Sequence, residues 1–197
     1  IAPANVIGDR QGSRVENGGV IVPEEFKAAY REYQAGGWAG VTAPAEYGGQ
    51  GLPFLLGVAV EEMWCSANLA WSLCPLLTEG AARAIEAHAS EALRKAYLPK
   101  MVAGEWTGTM NLTEPQAGSD LAAVRTRAEP QPDGSYKIFG TKIFITYGEH
   151  DMAENIVHLV LARVAGAPEG VKGISLFVVP KFMVSADGSL GARNDAH

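Results

Sequence analysis

The chain is predicted to fold as α+β, with helices gathered in its first half and strands in its second. Apolar residues recur at helical spacing before Trp106 and alternate after it. Proline, serine and glycine punctuate the first half where helices should start and stop. A block of helices followed by a block of strands builds one segregated α+β unit or two domains side by side. Over 197 residues, the division falls at Trp106, giving a helical domain at 1–105 and a β domain at 106–197.

Pro23 opens the first clear helix, PEEFKAAYREYQ, whose acidic first turn suits the helix dipole and which Gly36-Gly37 stops. In the next, Leu56, Val60, Met63 and Trp64 follow the i, i+4, i+7, i+8 rule of one buried face. A further helix is expected to start at Pro75, with Leu77, Ala81, Ala84, Ile85 and His88 on its inward side. His88 reads as a core or boundary histidine, because no second His or Cys stands at metal-ligand spacing. Ser90 caps a last helix through Leu93 and Tyr97, which Pro99 and Gly104 end. The glycine-rich connection Ala43 to Gly51 lacks the Lys-Ser/Thr of a phosphate loop and reads as tight turns.

Beyond Trp106, Val124, Thr126 and Ala128 alternate with Arg125, Arg127 and Glu129 as one strand. Asp133-Gly134 turns a hairpin into Tyr136-Lys137-Ile138. Thr141 to Thr146 reads as another strand. Val157, Leu159 and Leu161 make the buried face of a fourth, with His158 opposite, and Gly173 to Val179 is a fifth. Glu149, His150 and Asp151 sit between strands and are expected to be a solvated loop.

Composition narrows the functions. At 47% hydrophobic the chain can bury a sizeable core. A net charge of −6 and pI ≈ 5.2 argue against nucleic acid as a partner, since phosphate backbones call for clustered Lys and Arg. No apolar run is long enough for a transmembrane segment. Cys65 and Cys74 have no metal or redox spacing and read as small hydrophobes in a reducing, cytoplasmic compartment. The opening IAPANVIGDRQG, with no basic stretch before an apolar one, does not read as a signal peptide. The missing initiator methionine and abrupt ARNDAH end suggest a piece of a longer chain.

Two segments carry chemistry: Met110–Asp120, reading MNLTEPQAGSD, and Lys142–Gly148, reading KIFITYG. An isoalloxazine ring needs donors and acceptors along its pyrimidine edge, an apolar wall for its face, and backbone or hydroxyl groups at its pyrophosphate. Met110, Asn111, Leu112 and Thr113 can line such an edge, and Gly118-Ser119 can let the chain approach a phosphate. Phe144 can pack on the ring, with the Thr146 hydroxyl at its reactive nitrogen. An ordinary turn, with Thr113, Ser119 and Asp120 bonding local backbone, explains the first segment equally well.

Thr113-Glu114-Pro115-x-Ala117-Gly118-Ser119-Asp120 is similar to the TEPxAGSD motif of acyl-CoA dehydrogenases, and KIFITYG to their K-x-W/F-I-T-N-G segment. Glu46 to Gly51 resembles the family's PEYGGxG loop, and Tyr97-Leu98-Pro99-Lys100 with Gly104-Glu105 its YLPxLxxGE helix end. The resemblance covers about residues 38–180 and, through ENIVHLVLAR and GVKGISLFVVPKF, points to a larger bacterial branch. It implies a helical N-terminal domain, a middle β-barrel domain that is incomplete here, and a C-terminal helical domain absent from these residues. FAD would be the cofactor, contacted by Met110, Leu112, Thr113, Gly118, Ser119, Phe144, Ile145 and Thr146. Ser119 would also lie beside the acyl-CoA substrate. Tyr147 replaces the usual Asn and Phe144 the frequent Trp.

Family chemistry is α,β-dehydrogenation of an acyl-CoA, a glutamate removing the α-proton while hydride passes to the flavin. That base is expected beyond His197, so no carboxylate here is assigned to catalysis and the chain alone should be inactive. Glu114 is expected to bond backbone in its turn. The implied partners are an electron-transfer flavoprotein and further copies of the full-length protein. Alternatives are an acyl-CoA oxidase, a non-enzymatic flavin protein on the same scaffold, and an α+β interaction module without cofactor.

Overall fold

A computed structural model describes residues 1–194; the last three residues of the expected β domain lie outside them. The chain opens with helix α1 (Ala2–Gln11), then a hairpin of β1 (Arg14–Glu16) and β2 (Gly19–Ile21). These elements went unpredicted, although Asn17-Gly18 marks the turn: both sit at positive φ, 50° and 77°, as a two-residue hairpin loop favours. Helix α2 (Glu24–Ala35) follows Pro23 as expected and buries Phe26, Tyr30 and Tyr33 on one face.

Helix α3 (Phe54–His88) departs from the expected boundary. Pro75 lies inside it, buried, and the break comes earlier, at Asn68 (φ −164°, ψ 88°). The Asn68 side chain accepts the Trp71 N–H at 3.0 Å, supplying the cap that lets a new helical run begin. Pro75 loses its own N–H bond and crowds the carbonyl four residues back, yet the helix runs through it. The expected inward face of the first run also fails: Leu56 is 44% and Met63 67% exposed, while Val60 and Trp64 are half-buried. The second run does bury Ala81 and Ile85, but His88 is exposed. Helix α4 (Glu91–Val102) is capped by Ser90, whose Oγ accepts the Leu93 N–H at 3.4 Å. Pro99 lies inside α4, and the chain turns away at Gly104, φ 72°.

The second half holds β3 (Trp106–Asn111), β4 (Arg127–Pro130), β5 (Tyr136–Phe139), β6 (Asn155–Val164) and β7 (Ile174–Pro180) in one five-stranded sheet. A separate hairpin joins β8 (Phe182–Val184) to β9 (Leu190–Arg193). Strand β6 is central, parallel to β3 (Trp106↔Asn155) and to the start of β4 (Arg127↔Arg163), and antiparallel to β7. It is therefore covered on both faces: Ile156, Val160 and Ala162 are buried as well as Val157 and Leu159. The β4–β5 hairpin turns over Asp133-Gly134 as expected. Val124, Thr126 and Ala128 alternate into the core, but only the end of that stretch is strand, and Leu121–Ala123 is a short 3-10 turn.

Thr141 to Thr146 is not a strand. Phe144 (φ 59°) and Tyr147 (φ 52°) occupy the left-handed region, which interrupts any ladder. The sheet seats on the helices through β3. Gly108 donates its N–H to Thr78 Oγ1 at 3.0 Å, and a Cβ there would lie 2.6 Å from the Ala81 Cβ. Trp106, fully buried, meets Tyr97 edge-on at 6.0 Å between ring centroids. Among the described residues no helix is long and apolar enough to cross a membrane.

Candidate functional site

The two motif segments, distant in sequence, lie side by side. Strand β3 delivers Met110 and Asn111 to its end, and Leu112 to Glu114 run on against Lys142 and Ile143. The Ile143 N–H donates to the Thr113 carbonyl at 3.0 Å, and the Lys142 ammonium to the Leu112 carbonyl at 3.1 Å. Thr109 Oγ1 donates to the Thr146 carbonyl at 2.7 Å. These bonds replace the ladder that the sequence pattern implied for Thr141 to Thr146.

Glu114 organises the loop that follows. Its carboxylate accepts the Arg125 N–H at 2.7 Å, the Thr126 N–H at 3.0 Å and the Lys142 ammonium at 2.8 Å. Burial opposes its ionisation, but Lys142, the Thr126 hydroxyl and the two backbone donors outweigh that and hold the carboxyl down at about 2. It bonds backbone, as expected, and every one of these contacts is structural. The turn closes by reciprocal backbone bonds between Glu114 and Ala117, and Asp120 Oδ1 caps Ala122 at 3.0 Å.

The remaining motif residues are presented outward. Phe144 is 88% exposed, a large ring standing clear of the protein on a backbone conformation costly for a bulky side chain. Met110, Gly118, Ser119 and Thr146 are exposed, while Leu112, Thr113 and Ile145 are half-buried. A Cβ at Gly118 would meet no protein atom within 4 Å, so nothing inside this chain requires a glycine there. Strand alternation puts the Met110 backbone on the same outer edge as the Gly108 N–H. An apolar wall, an edge of backbone donors and acceptors, two hydroxyls and an open glycine-serine turn fit a planar flavin with a pyrophosphate tail.

The Glu149-His150-Asp151 run is not a solvated loop. Asp151 accepts from Lys27 at 2.7 Å and from the Val22 N–H at 3.0 Å, tying the β half to α2. Glu149 pairs with Lys181 and with Arg193. His150 is fully buried; its Nδ1 accepts the Met152 N–H at 3.1 Å, which leaves Nε2 to donate to Thr107 Oγ1 at 3.0 Å. Burial, then the nearby Lys181, lowers His150 to about 4, and burial does the same to His158, which bonds Asn111 Oδ1 at 3.2 Å. Both imidazoles are neutral structural groups. Sequence reasoning missed Thr109, gave Lys142 no role within its motif and read Asp151 as solvated, because their signal is visible only once their partners are known. No cluster of three potential metal ligands occurs among the described residues.

Both halves of the chain have counterparts among known proteins. The family model for the acyl-CoA dehydrogenase N-terminal domain matches residues 11–105, and that for the middle domain residues 109–195. A 3-methylmercaptopropionyl-CoA dehydrogenase of Ruegeria pomeroyi is 56% identical over 98% of this chain and 33% of its own length. A butyryl-CoA dehydrogenase of Syntrophomonas wolfei is 43% identical over 99% of this chain and 32% of its own. The crystal structure of an acyl-CoA dehydrogenase complexed with FAD from Bacillus anthracis superposes with a TM-score of 0.68 at 28% identity, covering 80% of this chain and 26% of that one. The chain thus spans about a third of the length of these curated relatives. It belongs to the acyl-CoA dehydrogenase family.

Proposed function

We propose that the protein containing this chain is an FAD-dependent acyl-CoA dehydrogenase that oxidises the α,β bond of acyl-CoA thioesters. The observation that carries the reading is the exposed Phe144 ring, set at positive φ beside the Met110–Ser119 segment. Bound FAD would supply the two-electron acceptor. Phe144 and Ile145 would wall the ring, and Thr113 and Thr146 would offer hydroxyls. The Met110 and Leu112 backbone would meet the pyrimidine edge. Gly118 and Ser119 would receive the pyrophosphate, with Ser119 also facing the acyl-CoA. Residues 1–105 and 106–197 act as the helical and middle domains of this arrangement.

Neither Glu114, beside the motif residues, nor Asp151 suits the α-proton. Glu114 is saturated with donors and held at about 2, and Asp151 is engaged with Lys27 and Val22. The family resemblance puts the base outside these residues, and the isolated chain would then be inactive. The family resemblance supports electron-transfer flavoprotein as acceptor, a cytoplasmic location and a homo-oligomeric full-length protein. The relatives' names make butyryl-CoA and 3-methylmercaptopropionyl-CoA the first substrates to try.

The test is the anaerobic visible spectrum of the full-length protein with FAD, before and after each thioester. Bleaching of the oxidised flavin band supports the dehydrogenase. A bound flavin that stays yellow with every chain length refutes it, and rapid peroxide formation in air reassigns the protein as an oxidase.

A further inference from the structure

Lys142 and Glu114 form a nearly dry ion pair, with side chains 9% and 3% exposed, directly behind the candidate flavin edge. Most surface pairs contribute little, and a buried pair must offset the cost of removing two charges from water. This one does so by bonding backbone. The Lys142 ammonium holds the Leu112 carbonyl as well as Glu114 Oε1, and the same carboxylate holds Arg125 and Thr126 on the far side of the turn. The Ile143 N–H, next in the chain after Lys142, holds the Thr113 carbonyl. Three consecutive residues, Leu112, Thr113 and Glu114, are thereby fixed to two, Lys142 and Ile143. Phe144 follows immediately.

We infer that Lys142, acting with Glu114, is a positioning residue for flavin: it sets the Leu112–Thr113 edge and the Phe144 wall at one fixed separation. The inference rests on the flavin-binding reading of the site. A planar ring bound along its edge and against its face needs both surfaces pre-set, because ordering them on binding would subtract from affinity. Lysine suits this role because its ammonium has three donors and no acceptor, so it can hold a carbonyl and a carboxylate together. A neutral isostere leaves the Leu112 carbonyl free and the Glu114 charge uncompensated. An arginine keeps the charge and the donors.

The experiment compares wild type, Lys142→Met, Lys142→Gln and Lys142→Arg in the full-length protein. Each is measured for apoprotein melting, FAD affinity by fluorescence titration, and fine structure of the bound flavin's visible band. The expected result is a folded Lys142→Met or Lys142→Gln apoprotein with at least tenfold weaker FAD binding and a blurred visible band, and recovery of most of both by Lys142→Arg. Wild-type affinity in Lys142→Met would overturn the inference while leaving the flavin reading intact. Failure of both neutral variants to fold would assign the pair to folding alone and overturn it too. A wild-type protein that takes up no flavin would remove the site reading and this inference with it.

Discussion

The Tyr147 hydroxyl donates to the Ala70 carbonyl at 2.6 Å, joining the KIFITYG segment to α3 two residues past its break at Asn68. Ala70 stands in the first turn of the second helical run, where N–H groups and not carbonyls are left unpaired, so Tyr147 adds a bond from the other half of the molecule to an accepting carbonyl. Replacing it by phenylalanine should remove that bond and keep the packing. The expected loss is about 1 kcal/mol, seen as a drop of roughly 3 °C in the apoprotein's melting temperature. An unchanged melt would mean that the contact contributes nothing.

Phe144 should separate stability from binding. Its ring is almost wholly in water and its backbone is left-handed, a conformation costing a non-glycine residue roughly 1–2 kcal/mol. Phe144→Gly is expected to stabilise the apoprotein, by up to about 1 kcal/mol after glycine's extra chain entropy, and to weaken FAD binding at least tenfold. Calorimetry and flavin titration on the same samples read the two opposite signs.

Acid should unfold the β half in two stages. His150 and His158 are lowered from 6.5 to about 4, so the folded state binds fewer protons than the unfolded chain between those values. Their stabilisation is complete above pH 6.5 and is lost as pH falls towards 4. Glu114 is lowered from 4.5 to about 2, so its share is present above 4.5 and lost towards 2, on the order of 3 kcal/mol. His150→Gln should remove its share of the upper stage in a urea titration run across pH, leaving the share of His158 and the lower stage in place.

Gly108→Ala should loosen the sheet from the helices. The added methyl would sit 2.6 Å from the Ala81 Cβ and 2.8 Å from the Met101 Cε, and overpacking of this kind costs about 1–3 kcal/mol. The unfolding free energy from a denaturant titration should fall by that amount, followed by the tryptophan fluorescence to which Trp106 contributes.

Helices α2 and α4 were legible because their signals are local: Pro23 with an acidic turn, Ser90 as a cap. The Asp133-Gly134 hairpin was legible for the same reason. What sequence could not show were choices made by distant partners. Asn68 outranks Pro75 as a break because its side chain finds the Trp71 N–H. Thr141 to Thr146 alternates like a strand, yet its bonds go to Thr109, Leu112 and Thr113 in place of a neighbouring strand. Asp151 looks like a loop residue until Lys27 is seen beside it. The candidate site was readable as two motifs, and its adjacency only from the fold.

Because β6 pairs with β3, β4 and β7, it is the strand the rest of the sheet waits for. During synthesis β3 emerges first, and its partner, from Asn155 onward, follows roughly a few seconds later at typical elongation rates. In that interval Trp106, Gly108 and the TEPQAGSD loop have only the finished helices to lean on. The helical half is thus the platform on which the nascent β half is held soluble. Substitutions that weaken the Gly108 seat against Thr78 and Ala81 would then cost yield in cells in addition to the stability they cost the finished protein.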